Sequence, residues 1–327
     1  MPKYSDIKKI IISNWPKAKI KSIKEFAEGY NNLAYDVKLD KKEYVIKIIK
    51  LKGFEKYVLK QKYFREMVIK KFKTFPVSKI IKSDYTNKII NKPYIITEKI
   101  KGQSLQKIYQ EITNKEKLYE EIGEIYGKMH SIKFKRYGEL DSSFKLIKEY
   151  ESWFSKKNEE IKDLFKKIEE NKLLSKSNLK LNRNFFENNK YLLRKEGNPC
   201  LCHGDSADSN VIINKSNKKY NFEGLIDFEF IRVSGPVYDL FSGLRSFEKK
   251  YKYRKNLISG HNKWSKLPKE WEKLIFLYQW MGNLKQLTRI KKMKWRNLSE
   301  LDSKERKRDL RKKSLQTLNK IVKKDLL

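Results

Sequence analysis

Three segments within the first fifty residues, 20–26, 34–39 and 44–49, alternate apolar with charged side chains. A period of two puts one set of side chains on each face of a strand, and the short connections between the three segments dictate antiparallel hairpins. The period then changes. From Gly53 onward Val58, Leu59, Phe64, Met67, Val68 and Phe72 recur at helical spacing until Pro76 ends the run. Ile80, Ile81, Ile89 and Ile90 predict a further hairpin, and residues 93–100 (PYIITEKI) read as a buried strand. Residues 5–15 predict a short helix with Ile7, Ile10 and Ile11 on one stripe.

Beyond Glu98 the pattern is mostly helical. Residues 118–130 carry Ile122, Ile125, Tyr126 and Met129 on one face, and residues 146–174 predict a long, charge-rich helix. Inside this region the segments 200–203, 210–214 and 221–228 form an island of short strands, with 215–219 as a turn. The expectation is an α+β chain of two lobes: residues 1–98 as an antiparallel sheet lobe with one helix, and residues 99–327 as a larger, mostly helical lobe.

Charge widens the range of partners. With 77 Lys and Arg against 40 Asp and Glu the formal charge is +37, which brings nucleic acid, acidic membranes and anionic ligands into view. Lys greatly outnumbers Arg, however, and phosphate readers favour the guanidinium fork. A solvated, Lys-coated surface is therefore favoured over a nucleic-acid site. Cys200 and Cys202, the only cysteines, project to one face of a strand, while His130, His203 and His261 are scattered. That spacing fits a reduced, metal-free pair in the cytosol. The opening MPKYSDIKKIIISNWPK breaks its apolar run after Ile12, so it reads as neither a signal peptide nor a membrane span. A cytoplasmic chain with no membrane partner is expected.

The chemistry is concentrated in LCHGDSADSNVIIN, residues 201–214, where two apolar runs are interrupted to place Asp205 and Asn210 five residues apart. GLIDFE follows across a hairpin, putting Asp227 seventeen residues after Asn210. The combination resembles the catalytic and metal loops of the aminoglycoside phosphotransferase and choline kinase families, relatives of protein kinases, and the resemblance covers most of the chain. It implies a two-lobed, protein-kinase-like fold and transfer of the γ-phosphoryl group of ATP, with GTP as an alternative, to a small-molecule hydroxyl. Phosphoryl transfer needs an oriented hydroxyl, a clamped triphosphate and cations to absorb charge. Asp205 is the candidate base for the hydroxyl, and Asn210 and Asp227 are candidate Mg²⁺ ligands with hard oxygen donors. His203 reads as a support of the loop rather than a base, and Gly204 as permitting a tight backbone path. Asp239, in GPVYDL, resembles the family's aspartate that holds the catalytic-loop backbone, with a carboxylate at a helix N-terminus as the alternative. His130, at a helix end, is expected to have an architectural role.

The resemblance places the nucleotide in the first lobe. Lys47, in YVIKI, shares a strand face with Val45 and is the candidate for the α- and β-phosphates. Glu66 shares a helix stripe with Leu59 and Tyr63 and is expected to pair with Lys47, with Glu55 as the alternative. EGYNN falls where kinase-like proteins cover the phosphates, which makes backbone groups near Gly29, Asn31 and Asn32 candidates beside the reading of an ordinary hairpin turn. Main-chain groups of Glu98 and Ile100 are implied for the adenine, with Ile46 and Ile96 as walls.

The acceptor stays open. An aminoglycoside would need carboxylates, for which Asp208, Glu229, Glu270 and Glu272 are candidates. A choline-like acceptor would need an aromatic cage, for which Trp264, Trp271, Tyr278, Trp280 and Trp295 compete with ordinary packing. A non-catalytic relative whose basic C-terminal helices bind RNA or an acidic partner is the alternative of a different class. Oligomeric state is not indicated.

Overall fold

The computed structural model describes residues 4–26, 32–50, 55–217, 219–245, 253–290 and 299–323. Its first lobe is a five-stranded antiparallel sheet in the order β1 (Ile20–Glu25), β2 (Asn32–Leu39), β3 (Lys42–Ile49), β5 (Tyr94–Glu98), β4 (Ile80–Asp84). Alternation sorts its side chains. Tyr35, Val37, Ile46, Ile48, Tyr94 and Ile96 face α1 (Tyr4–Asn14), whose Ile7, Ile10 and Ile11 close one core over them. Burying each such side chain contributes about 1.5–3 kcal/mol, which makes this face the reason the lobe folds. The opposite parity sends Ala34, Val45, Lys47, Ile95 and Thr97 toward the second lobe. Ile89 and Ile90 do not form the expected hairpin strand; residues 85–93 turn back in bends, and β4 pairs directly with β5.

The helix α2 (Glu55–Phe72) belongs to both lobes. Phe64 and Val68 join the main core of the second lobe, and the Phe64 ring stacks on Phe228 at 4.4 Å between centroids. The second lobe is mostly helical: α3 (Leu105–Ile108), α4 (Lys115–His130), α5 (Trp153–Glu170), α6 (Lys176–Asn189), α7 (Pro236–Arg245), α8 (Arg254–Asn262), α9 (Trp271–Ile290) and α10 (Glu300–Lys323). The single helix expected over 146–174 is two elements, strand β8 (Leu146–Tyr150) and α5, because Ser152 caps the helix by accepting from the Ser155 N–H at 3.0 Å.

Two small sheets carry the chemistry-bearing loops. One is β11 (Lys219–Leu225), β10 (Val211–Ser216) and β6 (Gln103–Ser104); the other is β8, β7 (Tyr137–Leu140), β12 (Arg232–Ser234) and β9 (Cys200–Cys202). Behind them α4 and α8 cross at backbone contact. A Cβ on Gly123 would lie 1.9 Å from the Leu257 carbonyl oxygen, and one on Gly260 would lie 1.9 Å from that of Glu120. Only glycine permits this approach, and it brings His130 and His261, near the C-terminal ends of the two helices, together. No described helix is long and apolar enough to cross a membrane.

Candidate active site

The strand β9 delivers the chain to His203 and Gly204, where the loop leaves the sheet. Gly204 has φ of +81°, and a Cβ there would lie 2.0 Å from the Phe230 carbonyl oxygen, so this turn requires glycine. The buried carboxylate of Asp239, in the first turn of α7, accepts the His203 N–H at 2.8 Å on Oδ2 and the Gly204 N–H at 2.7 Å on Oδ1. His130 Nε2 lies 3.0 Å from Oδ2 of the same carboxylate, and His130 Nδ1 lies 2.9 Å from His261 Nε2. Burial pushes the His130 pKa down, but Cys202 and Asp239 push it up further, so it ends raised. Burial drives the Cys202 thiol up and keeps it neutral, which leaves Asp239 as the charged partner. Asp239 is itself lowered: burial raises it, and the His130 hydrogen bond and charge overcome that. His130 thus supports the architecture of the site: with Asp239 it forms a buried ion pair that fixes the loop.

His203 ties the two loops together. Its Nε2 donates to the Ile226 carbonyl at 2.9 Å while Nδ1 accepts the Asp205 N–H at 3.3 Å, and burial holds its pKa below the ordinary value. A neutral ring with both nitrogens occupied is a strut, as the sequence suggested. Asn210 donates through Nδ2 to both the main-chain oxygen and Oδ2 of Asp205, each at 2.9 Å, and its main-chain carbonyl accepts the Ile226 N–H at 3.0 Å. Asp227 then takes a left-handed conformation, φ 69° and ψ 56°, and Lys47 Nζ reaches its Oδ1 at 2.9 Å. An aspartate tolerates this region better than most residues, yet the conformation is uncommon and re-aims the chain after β11.

Lys47, Asp205 and Asp227 meet on the wall of one cavity of about 880 Å³ between the lobes; Asn210, buried behind Asp205, is not on that wall. Val45, Ile95, Ile80 and Thr97 line it from the sheet, Ile212 and Leu225 from below, and Ile100 from the connection. Several expectations change here. Ile46 and Ile96 are not its walls, because their parity turns them into the core under α1. Glu66 does not pair with Lys47: it is 55% exposed and lies 3.9 Å from Lys62, while Lys47 pairs with Asp227. The face of α2 toward the cavity instead carries Gln61, Phe64 and Arg65. The Glu55 side chain, Gly29 and Asn31 lie outside the described residues. Asn32 does line the cavity, donating to buried Glu229 at 2.5 Å. Of the connection, Lys99 and Ile100 reach the wall; the Glu98 N–H donates to the Lys79 carbonyl at 2.9 Å.

Sequence reasoning missed three cations around this centre. Lys60 is buried, donates to the Ile231 carbonyl at 3.1 Å, and has its pKa lowered to about 8 by that burial. Arg65 lines the cavity with its Nε buried and lacking a hydrogen-bond partner among the described residues. Arg232 bridges the loops, its guanidinium donating to the Phe230 carbonyl at 3.2 Å and the Gly204 carbonyl at 3.4 Å. In a chain with 77 basic residues nothing local distinguished these three.

No aromatic cage assembles from the described candidates. Trp280 is fully buried and stacks on Phe186, and the Tyr278 hydroxyl is engaged by Glu196 and by the Trp153 N–H. Lys128 sits 4.9 Å from the centre of the Trp264 ring, Trp271 packs against the core, and Trp295 lies outside the described residues. Of the acidic candidates, Asp208 and Glu229 are buried, while Glu270 and Glu272 flank the start of α9.

Comparison with known proteins agrees with this geometry. The model of the phosphotransferase enzyme family matches residues 22–264. Aminoglycoside 2'-phosphotransferase-IIIa in complex with GDP superposes with a TM-score of 0.69 at 14% identity, over 99% of this chain and 100% of that one. The GDP and kanamycin complex of a 2''-phosphotransferase gives 0.66 at 14% identity, over 98% and 99% of the two chains. A thermostable mutant of a 4-phosphotransferase, with AMP-PNP and hygromycin B, gives 0.62 at 14% identity, over 98% and 99%. No curated protein matches the chain in sequence. With the family model spanning most of the molecule and a kinase-like architecture around its loops, the chain belongs to the phosphotransferase enzyme family and is a small-molecule kinase.

Proposed function

We propose that the chain transfers the γ-phosphoryl group of ATP to a hydroxyl of a small molecule at Asp205, with Mg²⁺ held by Asn210 and Asp227. The observation that carries this reading is one cavity lined by Lys47, Asp205 and Asp227, in which Lys47 lies 2.9 Å from Asp227, while Asn210, off its wall, holds Asp205 at 2.9 Å. Asp205, Asp227 and Lys47 thereby face one space of a size for a bound triphosphate, with Asn210 adjoining Asp205.

The donor set fits Mg²⁺. With Nδ2 of Asn210 committed to Asp205, its amide oxygen has no hydrogen-bond partner among the described residues, and the same holds for Oδ2 of Asp227. Hard oxygens from two neighbouring loops suit a divalent cation that keeps phosphate oxygens in its shell. Such an ion, when bound, would offset negative charge on the triphosphate. Lys47 adds a second positive charge to the triphosphate. Asp205 orients the acceptor hydroxyl; its oxygen forms the new bond to phosphorus while its proton passes to the Asp205 carboxylate. The bond from the γ-phosphorus to the bridging oxygen breaks, and its electron pair leaves with ADP.

The nucleotides named in the related structures include both GDP and AMP-PNP, so guanine and adenine are both to be tried. Kanamycin and hygromycin B are the other small molecules named in those complexes. A phosphorus NMR screen of Mg²⁺ATP and Mg²⁺GTP against aminoglycosides, amino alcohols, sugars and hydroxy acids tests the reading. A new phosphomonoester signal formed at about 1–100 per second supports it, and no protein-dependent transfer to any class contradicts it.

A further inference from the structure

A second cavity, of about 360 Å³, lies between α5, α7 and α9. Its size is at the lower end for a small-molecule site. Tyr238, Phe241 and Tyr278 form part of its wall, and its charged lining is Glu160, Lys285 and Arg289. The single carboxylate is already neutralised: Lys157, 1% exposed, places its ammonium 2.9 Å from Glu160. The same ammonium covers the Tyr238 ring at 3.8 Å and the Trp153 ring at 4.5 Å. The aromatic face that would receive a quaternary ammonium is therefore taken by a residue of the chain itself.

Lys285 and Arg289, four residues apart on α9, make no ion pair or side-chain hydrogen bond among the described residues. Lys285 acts on Glu160 and Tyr238 only at longer range. After Lys157 and Glu160 cancel, two positive charges remain. The Tyr238 phenol pKa is lowered chiefly by Lys157, against burial and Glu160, with Lys285 and Arg232 adding smaller effects in the same direction.

No catalytic-loop residue lines this cavity, but its wall is joined to that loop through Tyr238. Tyr238 immediately precedes Asp239, which binds the His203 and Gly204 amides, and Arg232, whose charge acts on Tyr238, donates to the Gly204 carbonyl. A molecule seated against Tyr238 is one residue away from the anchor of the loop that bears Asp205.

We propose that this cavity receives an anionic group, a carboxylate or a phosphate, of the hydroxyl acceptor, bound by Lys285 and Arg289. The inference rests on the reading of Asp205 as the site of transfer. A polycationic or quaternary-ammonium acceptor would meet two like charges and an occupied ring, in a protein of net charge +37.

Calorimetry with gluconate, glycerol 3-phosphate, kanamycin and choline, each in the presence of Mg²⁺ and AMP-PNP, tests it beside the double variant Lys285→Met/Arg289→Met. Gluconate represents the carboxylate and glycerol 3-phosphate the phosphate. One or both are expected to bind, with affinity falling about tenfold or more in the double variant. Lys285→Arg, which keeps the charge, should hold the wild-type affinity. AMP-PNP affinity, measured separately, should be unchanged by the double variant and shows that it folds. Binding of neither anionic probe, anion binding undiminished in the double variant, or binding of kanamycin or choline alone overturns the proposal. If AMP-PNP itself does not bind the wild type, the kinase reading of the cleft fails instead, and the proposal falls with it.

Discussion

Asp239→Asn is the substitution on which the structure makes its sharpest demand. The shape hardly changes, but a carboxylate accepting on two oxygens becomes an amide with one. The His203 N–H at 2.8 Å, the Gly204 N–H at 2.7 Å and His130 at 3.0 Å all converge on this side chain, which is 3% exposed. An amide oxygen can satisfy one side of that arrangement and leaves a donor facing the other. Removing one partner of a buried pair typically costs about 3–5 kcal/mol. At about 2–4 °C per kcal/mol, the scale for somewhat smaller chains, the melting temperature should fall by roughly 6–20 °C.

The pH dependence carries a second signature. The raised His130 pKa contributes stability that is present below its ordinary value of 6.5 and lost as pH rises through the folded value. The lowered Asp239 pKa contributes stability that is present above its ordinary 3.8 and lost as pH falls through the folded value. The pair therefore stabilises most between those ordinary values, and Asp239→Asn should flatten both limbs. Thermal melts of both proteins from acid to alkaline pH measure this. A variant within about 1 kcal/mol of wild type, with an unchanged pH profile, would refute the ion-pair account of the loop.

Glu66→Gln should leave the nucleotide KM and kcat within about twofold, because Glu66 is a half-exposed surface group beside Lys62, and a steady-state titration decides. Gly260→Ala should cost about 1–3 kcal/mol or more in denaturant melts, since its Cβ would lie 1.9 Å from the Glu120 carbonyl oxygen and must push two helices apart. Glu196, buried against Tyr278, has its pKa raised to about 7 by burial. Stability from that group is full below its ordinary 4.5 and is lost as pH rises through 7, so Glu196→Gln should weaken the fall in melting temperature between pH 5 and 8.

What the sequence disclosed was whatever local periodicity controls. Alternation placed Lys47 and Val45 on the cleft face, yet the same parity sends Ile46 and Ile96 away from it, a consequence the family analogy obscured. The phase of α2 is set in part by a buried lysine, which apolar spacing does not reveal. Lys60, Phe64 and Val68 form the inward stripe at spacings of four, and this rotates Glu66 to the outside. Local patterns also failed for the short strands: β7 and β12, of four and three residues, have too few positions to show a period. The contact between His130 and Asp239 joins residues 109 apart, and that between Lys47 and Asp227 joins residues 180 apart. Such pairs are set by how the lobes and helices pack, and only a packed structure brings them together.

The central claim is that Asp205 takes the proton of the attacking hydroxyl in the cavity it shares with Lys47 and Asp227. Steady-state phosphate transfer by Asp205→Asn, to whichever acceptor the wild type turns over, tests it most directly. The account predicts a fall in kcat of about 10²- to 10⁴-fold with nucleotide affinity preserved. Turnover by the variant within a few-fold of wild type would contradict it.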